Sequence, residues 1–329
     1  MWRNSCGISP VVPVKTPMKK TCLRSFYVAV LMVFSCLVGR AEDLSVVQEA
    51  PEQMAGKLGV KLPSLPWHVA DVWWKFEKPI EHFESLSMEV TIDRDVPTNF
   101  NLYISPVGIA KINGMDFYGG FQTGINGWVS RTNQERVFVG KGAIFSRWSH
   151  DKKKPIGLDF VRMPADGLCE SAGYEGEFCS VRRPVAWTKG SYTYSVVKGD
   201  TEVIKGEAQT WFHCLVRSHA TEEVTWIGSL RFEGTDFQFW NQHAAFVEVY
   251  STKILPHPGI PKVNVTFGYP RLNGTKPKLV KASANYNVKS SPACARAKGA
   301  GDCVVVEVGE IFARKSEEGQ EKIDLNAGE

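Results

Sequence analysis

Between residues 85 and 269 the apolar positions recur at every second residue, in short runs separated by Gly, Asn, Asp and Pro. Period two sends successive side chains to opposite faces of a pleated strand, and the runs are rich in β-branched and aromatic residues. The pattern predicts strands over 87–93, 100–105, 116–123, 142–149, 157–163, 192–198, 208–218, 223–232, 244–251 and 262–269. No long amphipathic helix interrupts them. Ten strands punctuated by turns predict an all-β chain built as an antiparallel jelly-roll or lectin-like (concanavalin-like) sandwich, and they argue against a parallel α/β architecture.

The flanks read differently. Residues 42–66 are polar and form a linker, with PSLPWHVADVWWKF (63–76) docking as the chain enters the sandwich at 67. The sandwich domain runs over 67–272, and 273–313 reads as a small C-terminal hairpin appendage. The last segment, 314–329, is charged and nearly free of aromatics, so it is expected to be a solvated, disordered tail.

At the N-terminus, 26–39 is an apolar run of 14 residues behind Lys19 and Lys20. Its length falls short of the roughly 20 residues a membrane span needs, so 1–41 reads as a secretory signal peptide, with Met18 as an alternative start and cleavage after Ala41. Residues 1–41 carry six Lys and Arg and no acidic residue. Without them the 39 basic residues become 33 against 35 acidic ones, and the formal charge of +4 becomes −2. The basicity belongs to the leader, so nucleic acid is not an implied partner, and no membrane partner is implied after the leader is removed. The expected location is secreted, either periplasmic or extracellular.

Export permits disulfides. Cys169 and Cys179 bracket the Gly-rich CESAGYEGEFC, and Cys294 and Cys303 bracket CARAKGAGDC; each pair is expected to close a local bridge, with Cys214 a small buried residue. No CxxC cluster with matched histidines declares a zinc site, and no cofactor is expected; sandwich domains often carry calcium, which stays open although no Asp-rich loop indicates it.

Alternation also sorts faces. In AQTWFHCLVRS, Thr210, Phe212, Cys214 and Val216 form the core side, while Trp211, His213 and Arg217 point the other way. In DFYGGFQT, Phe117 and Phe121 oppose Tyr118 and Gln122. Flat rings interleaved with amides and guanidinium groups are what sugar recognition uses, so Tyr118, Gln122, Trp211, His213 and Arg217 are predicted to share one ligand-binding face, with Trp211 as its anchor. Gly119 and Gly120 would lower the sheet surface beneath a ligand. The competing expectation places Tyr118 and Trp211 beneath a long loop and makes the glycines bulges.

The order of YGGFQT (118–123), ERVFVGKGAIFSRWS (135–149), WTKGSYTYSV (187–196), TWFHCLVRS (210–218), TWIGSLRF (225–232) and AAFVEVYS (244–251) resembles the bacterial domain-of-unknown-function family 3472. The likeness covers 73–272. It implies an exported, β-rich protein, and it carries no activity over to particular residues. The Cys-bracketed loop 161–187 departs from the plain Gly-rich connection expected there.

The predicted function is therefore a secreted, non-catalytic carbohydrate- or glycoconjugate-binding sandwich, with a polysaccharide or glycan as partner. Two alternatives stay open. One is a lyase or glycoside hydrolase on the same fold, with Tyr118, Gln122, His213 and Arg217 supplying lyase residue types and Glu89 with Asp93 the nearest paired carboxylates. The other is a structural module of the cell envelope.

Overall fold

The period-two runs become antiparallel strands that hydrogen-bond into two sheets packed face to face, a β-sandwich. The computed structural model describes residues 67–250, 261–286, 295–309 and 319–325, together with 56, 57 and 59. The leader 1–41 and most of the 42–66 linker lie outside the described residues.

In chain order the strands are β1 (Trp67–Phe76), β2 (Ser85–Ile92), β3 (Leu102–Ile112), β4 (Met115–Trp128), β5 (Arg136–Trp148) and β6 (Val161–Arg162). There follow β7 (Leu168–Ala172), β8 (Phe178–Pro184), β9 (Gly190–Ile204), β10 (Glu207–Ser218), β11 (Val224–Glu233) and β12 (Gln242–Val249). The C-terminal part adds β13 (Val263–Phe267), β14 (Arg271–Leu272), β15 (Leu279–Tyr286), β16 (Ala295–Ala300), β17 (Cys303–Val308) and β18 (Gly319–Ile323). The first sheet has the order β18-β15-β1-β12-β3-β4-β5-β8-β7, and the second β16-β17-β13-β2-β9-β10-β11-β6, with β14 beside β2.

Between the sheets lies a continuous aromatic core. Phe117 of β4 meets Phe232 of β11 at 6.1 Å, Phe121 meets Tyr194 of β9 at 6.0 Å, and Phe83 stacks on Phe212 of β10 at 5.9 Å. Edge-to-face and stacked contacts of this kind add to what burial of the rings contributes.

The structure corrects the sequence reading at both flanks. The docking segment is a full strand: β1 lies between β12 and β15, with Ala70, Val72, Trp74 and Phe76 buried. Its alternation is regular, but two prolines and three tryptophans make the stretch look irregular. The region 273–313 is no appendage, since β15 extends the first sheet while β16 and β17 extend the second, burying Ala284, Val304 and Val306. Nor is 314–329 wholly a disordered tail. Residues 319–323 form β18 on β15 and bury Ile323. An edge strand needs only one apolar side chain facing inward, so a charged composition did not preclude it. Predicted strand 157–163 is a short 3-10 turn, Leu158–Phe160, followed by the two residues of β6.

The predicted disulfides are corrected as well. Cys169, Cys179, Cys214 and Cys303 are free thiols. The loop that Cys169 and Cys179 bracket is the β7–β8 hairpin, whose register pairs Cys169 with Val181 and Cys179 with Ser171. The two cysteines are thus diagonal neighbours, roughly 7–8 Å apart at Cα on such a ladder, beyond the usual disulfide reach. Burial pushes the Cys179 thiol up to about 12, which keeps it protonated. Cys294 lies outside the described residues. Its chain neighbour Ala295 pairs with Val308, whereas Cys303 pairs with Ala300 at the other end of the hairpin.

One core residue makes stability sensitive to acid. His243 on β12 is fully buried between Trp74 and Phe239, at ring distances of 5.9 and 6.3 Å, and its Nε2–H donates to the Pro106 carbonyl at 2.7 Å. Burial lowers its pKa from 6.5 to about 4. The folded chain therefore refuses a proton that the unfolded chain accepts, so stability is intact above about pH 6.5 and is lost as pH falls towards 4. A displacement of that size is worth about 3 kcal/mol. Denaturant melts between pH 6.5 and 5 should show this slope in the natural protein and a flatter one in His243→Gln; equal slopes would remove His243 as the cause.

Candidate ligand-binding cleft

Strands β4 and β10 divide their side chains as alternation predicts, with Phe117, Phe121, Thr210, Phe212, Cys214 and Val216 all buried inward. The five predicted site residues nevertheless do not share a face. Strand β4 belongs to the first sheet and β10 to the second, so their outward side chains lie on opposite sides of the sandwich. Tyr118 and Gln122 open onto one side; Trp211, His213 and Arg217 lie on the other. Alternation fixes the two faces of a strand and is silent about which sheet the strand joins.

Outside the first sheet lies a cavity of about 720 Å³ that both Tyr118 and Gln122 line. That volume falls inside the roughly 300–1,000 Å³ range of small-molecule sites. Its rings form a chain: Phe246 of β12 meets Tyr103 of β3 at 5.5 Å, Tyr103 meets Tyr118 at 6.5 Å, and Tyr118 meets Trp148 of β5 at 4.8 Å. Trp148 is fixed by its Nε1–H, which donates to the Glu175 carbonyl at 2.9 Å, and by Lys152, whose Nζ lies 5.0 Å from the ring centroid. Two half-exposed or exposed rings, Phe138 and Tyr174, also line the cavity. Tyr250, Glu248 and Ile109 complete the side formed by β12 and β3.

Polar order comes from a buried carboxylate. Glu170 of β7 is fully buried and pairs with Arg182 of β8 at 2.5 Å and with Arg136 of β5, while the Tyr174 hydroxyl donates to it at 3.3 Å. The remaining terminal nitrogens of the two arginines donate to the Asn126 backbone and side-chain carbonyls. Burial works to raise the Glu170 pKa, but Arg182 and Arg136 outweigh it and hold the carboxyl below its usual range. Burial pushes Tyr103 and Tyr118 well above the ordinary tyrosine value, so both hydroxyls stay protonated. Two polar atoms of lining residues, Tyr103 Oη and Arg182 Nε, are buried without a hydrogen-bond partner. Such atoms are costly to leave unmatched.

The glycine pair does not serve the ligand. A Cβ on Gly119 would come 1.8 Å from the Tyr194 hydroxyl in the core, and one on Gly120 would come 2.2 Å from the Ile104 carbonyl of the adjacent strand. Both glycines allow the sheet itself to close up.

On the opposite side Trp211 is 3% exposed, with the Arg162 guanidinium 4.0 Å and that of Arg231 5.4 Å from its ring centroid. It lies beneath the segment that carries β6, which meets the competing expectation for Trp211 but not for Tyr118, a lining residue of the cleft. His213 Nδ1 shares a 2.7 Å hydrogen bond with Ser229 Oγ, but Ser229 is fully buried, so this Ser–His contact has no access to a substrate. Burial lowers the His213 pKa. Arg217 forms an exposed ion pair with Glu222. The Tyr, Gln, His and Arg set considered for a lyase is therefore not assembled. Glu89 is exposed on β2, and Asp93, just past that strand, accepts from the Asn264 backbone N–H at 2.8 Å; neither lines the cavity.

Sequence reasoning missed most of the cleft: Tyr103, Asn126, Arg136, Phe138, Trp148, Glu170, Tyr174, Arg182, Phe246 and Tyr250. The signal for Tyr103 and Trp148 was present, since Tyr103 alternates with buried Leu102 and Ile104, and Trp148 with Phe145 and Arg147. The loop 161–187 was left without a role. It supplies Glu170, Tyr174, Glu175 and Arg182. No known family model matches the chain, and the curated proteins contain no significant match to it.

Proposed function

We propose that this chain is an exported, non-catalytic protein that binds a carbohydrate or glycoconjugate in the cleft outside the first sheet. The observation that carries this reading is the pair of half-buried rings Tyr118 and Trp148, seated on the buried Tyr103 and Phe246 and bordered by the amides of Gln122 and Asn126. Ring faces suit the apolar faces of pyranoses, and amides and hydroxyls suit their hydroxyl groups. Binding is favoured over lyase chemistry because Tyr118 and Gln122 lie outside one sheet and His213 and Arg217 outside the other, so this acid–base set does not converge on the cleft. The signal-like leader and the resemblance of the motif order to an exported β-rich family are consistent with export.

A glycan array on the mature chain, run beside assays for reducing ends and unsaturated products, tests the reading. Binding without product is expected. Tyr174 is 65% exposed at the cleft. Tyr174→Ala should weaken binding by about 1–2 kcal/mol, the scale of an interface anchor, while barely moving the melting temperature. Product formation would make the protein an enzyme, and an array without any bound glycan would leave the structural envelope role.

A further inference from the structure

We propose that the cleft selects uncharged sugars over acidic ones, and that Glu170 sets this selectivity. The inference rests on the carbohydrate reading of the same cleft and specifies its ligand class.

Two arginines in a sugar cleft would ordinarily point to a uronate or a sulfated sugar, because a guanidinium fork matches a carboxylate in geometry and charge. Here the chain's own carboxylate already occupies that position. Glu170 takes one terminal nitrogen of Arg136 and one of Arg182, and Asn126 takes the other from each. Glu170 is fully buried, so a ligand cannot displace it without opening the β7–β8 hairpin. An arriving anion also meets Glu175 and Glu248 in the lining, and no lysine lines the cavity among the described residues. Bringing a carboxylate out of water into such a site without a partner is unfavourable. What the lining offers instead is neutral: the Gln122 amide, the Asn126 side-chain amide nitrogen and the Tyr118 hydroxyl. These groups match sugar hydroxyls.

The test titrates the mature protein by calorimetry with neutral oligosaccharides and with their C6-oxidised uronate counterparts of the same linkage and length. The natural chain should bind the neutral members at least tenfold more tightly. Glu170→Gln keeps the shape and removes the charge, which releases the two guanidinium groups, and should shift the neutral-to-uronate affinity ratio by at least tenfold towards the uronates. Uronates bound as tightly as neutral sugars by the natural chain would overturn the selectivity while leaving the carbohydrate reading intact, and this comparison does not depend on any variant folding. An unchanged ratio in Glu170→Gln with a normal melt would remove Glu170 as its cause. Failure of every sugar, neutral or acidic, to bind would overturn the carbohydrate reading itself.

Discussion

Replacing Trp211 by alanine should cost about 3–5 kcal/mol of stability and leave glycan affinity in the folded fraction unchanged. The indole is 3% exposed and lies against the guanidinium groups of Arg162 and Arg231. Arg162 is tied in turn to Asp200 and Glu202 of β9, and Arg231 to Asp159 at 2.7 Å. Alanine would leave a cavity beneath these arginines and remove the ring face that both use. Emptying a buried aromatic site carries a penalty of this size, and loss of the cation–π contacts adds to it. Because Trp211 lies outside the second sheet, the cleft outside the first should be unaffected once the chain is folded. Chemical denaturation gives the first number and titration with an array-identified glycan the second. A stable variant with weakened binding would move the binding face to the second sheet.

What the sequence revealed and what it hid divide along one physical line. Local periodicity was legible. Residues 208–218 displayed both faces of β10 correctly, and 116–123 displayed those of β4, because the pleat fixes side-chain direction from one residue to the next. Pairing between distant segments was not legible. Nothing in TWFHCLVRS says that β10 joins a different sheet from β4, so Trp211 and Tyr118 looked like neighbours when the core separates them. The same gap explains the cysteines: Cys169 and Cys179 are ten residues apart in sequence, but it is the hairpin register that sets them diagonally. The CESAGYEGEFC loop looked like a stapled connection, yet its value to the site lies in Glu170, a buried carboxylate whose partners are 34 residues upstream and 12 downstream. A glutamate in a polar loop gives no local sign that it will be buried. Gly119 and Gly120 do not open the sheet to a ligand as expected: the groups that approach them are the Tyr194 hydroxyl and the Ile104 carbonyl.

The second large effect is expected at Arg147, a fully buried arginine on β5 that bridges the two sheets. Its Nη1 donates to the Arg231 carbonyl of β11, its Nη2 reaches Glu233 at 3.1 Å and Met115 Sδ at 3.4 Å, and its Nε donates to the Trp148 carbonyl at 3.1 Å. The guanidinium lies over Phe232, 4.5 Å from the ring centroid. Arg147→Ala removes the charge, the bonds and the volume together and should destabilise by about 3–5 kcal/mol, the range for breaking a buried ion pair or emptying a core site. Arg147→Met separates these contributions. Methionine restores most of the volume, and Glu233, which is 42% exposed, can turn to water, so the chief remaining loss is the unmatched Arg231 carbonyl, worth about 1–3 kcal/mol. The alanine variant should therefore be clearly the worse in urea melts; equal losses would mean that hydrogen bonding, rather than filled volume, holds the sheets together here. The effect should also reach the cleft. Trp148, the next residue on β5, faces the opposite way and packs at a tilt against Tyr118, so loosening β5 at Arg147 should weaken glycan binding in Arg147→Ala more than in Arg147→Met, even in the fraction that remains folded.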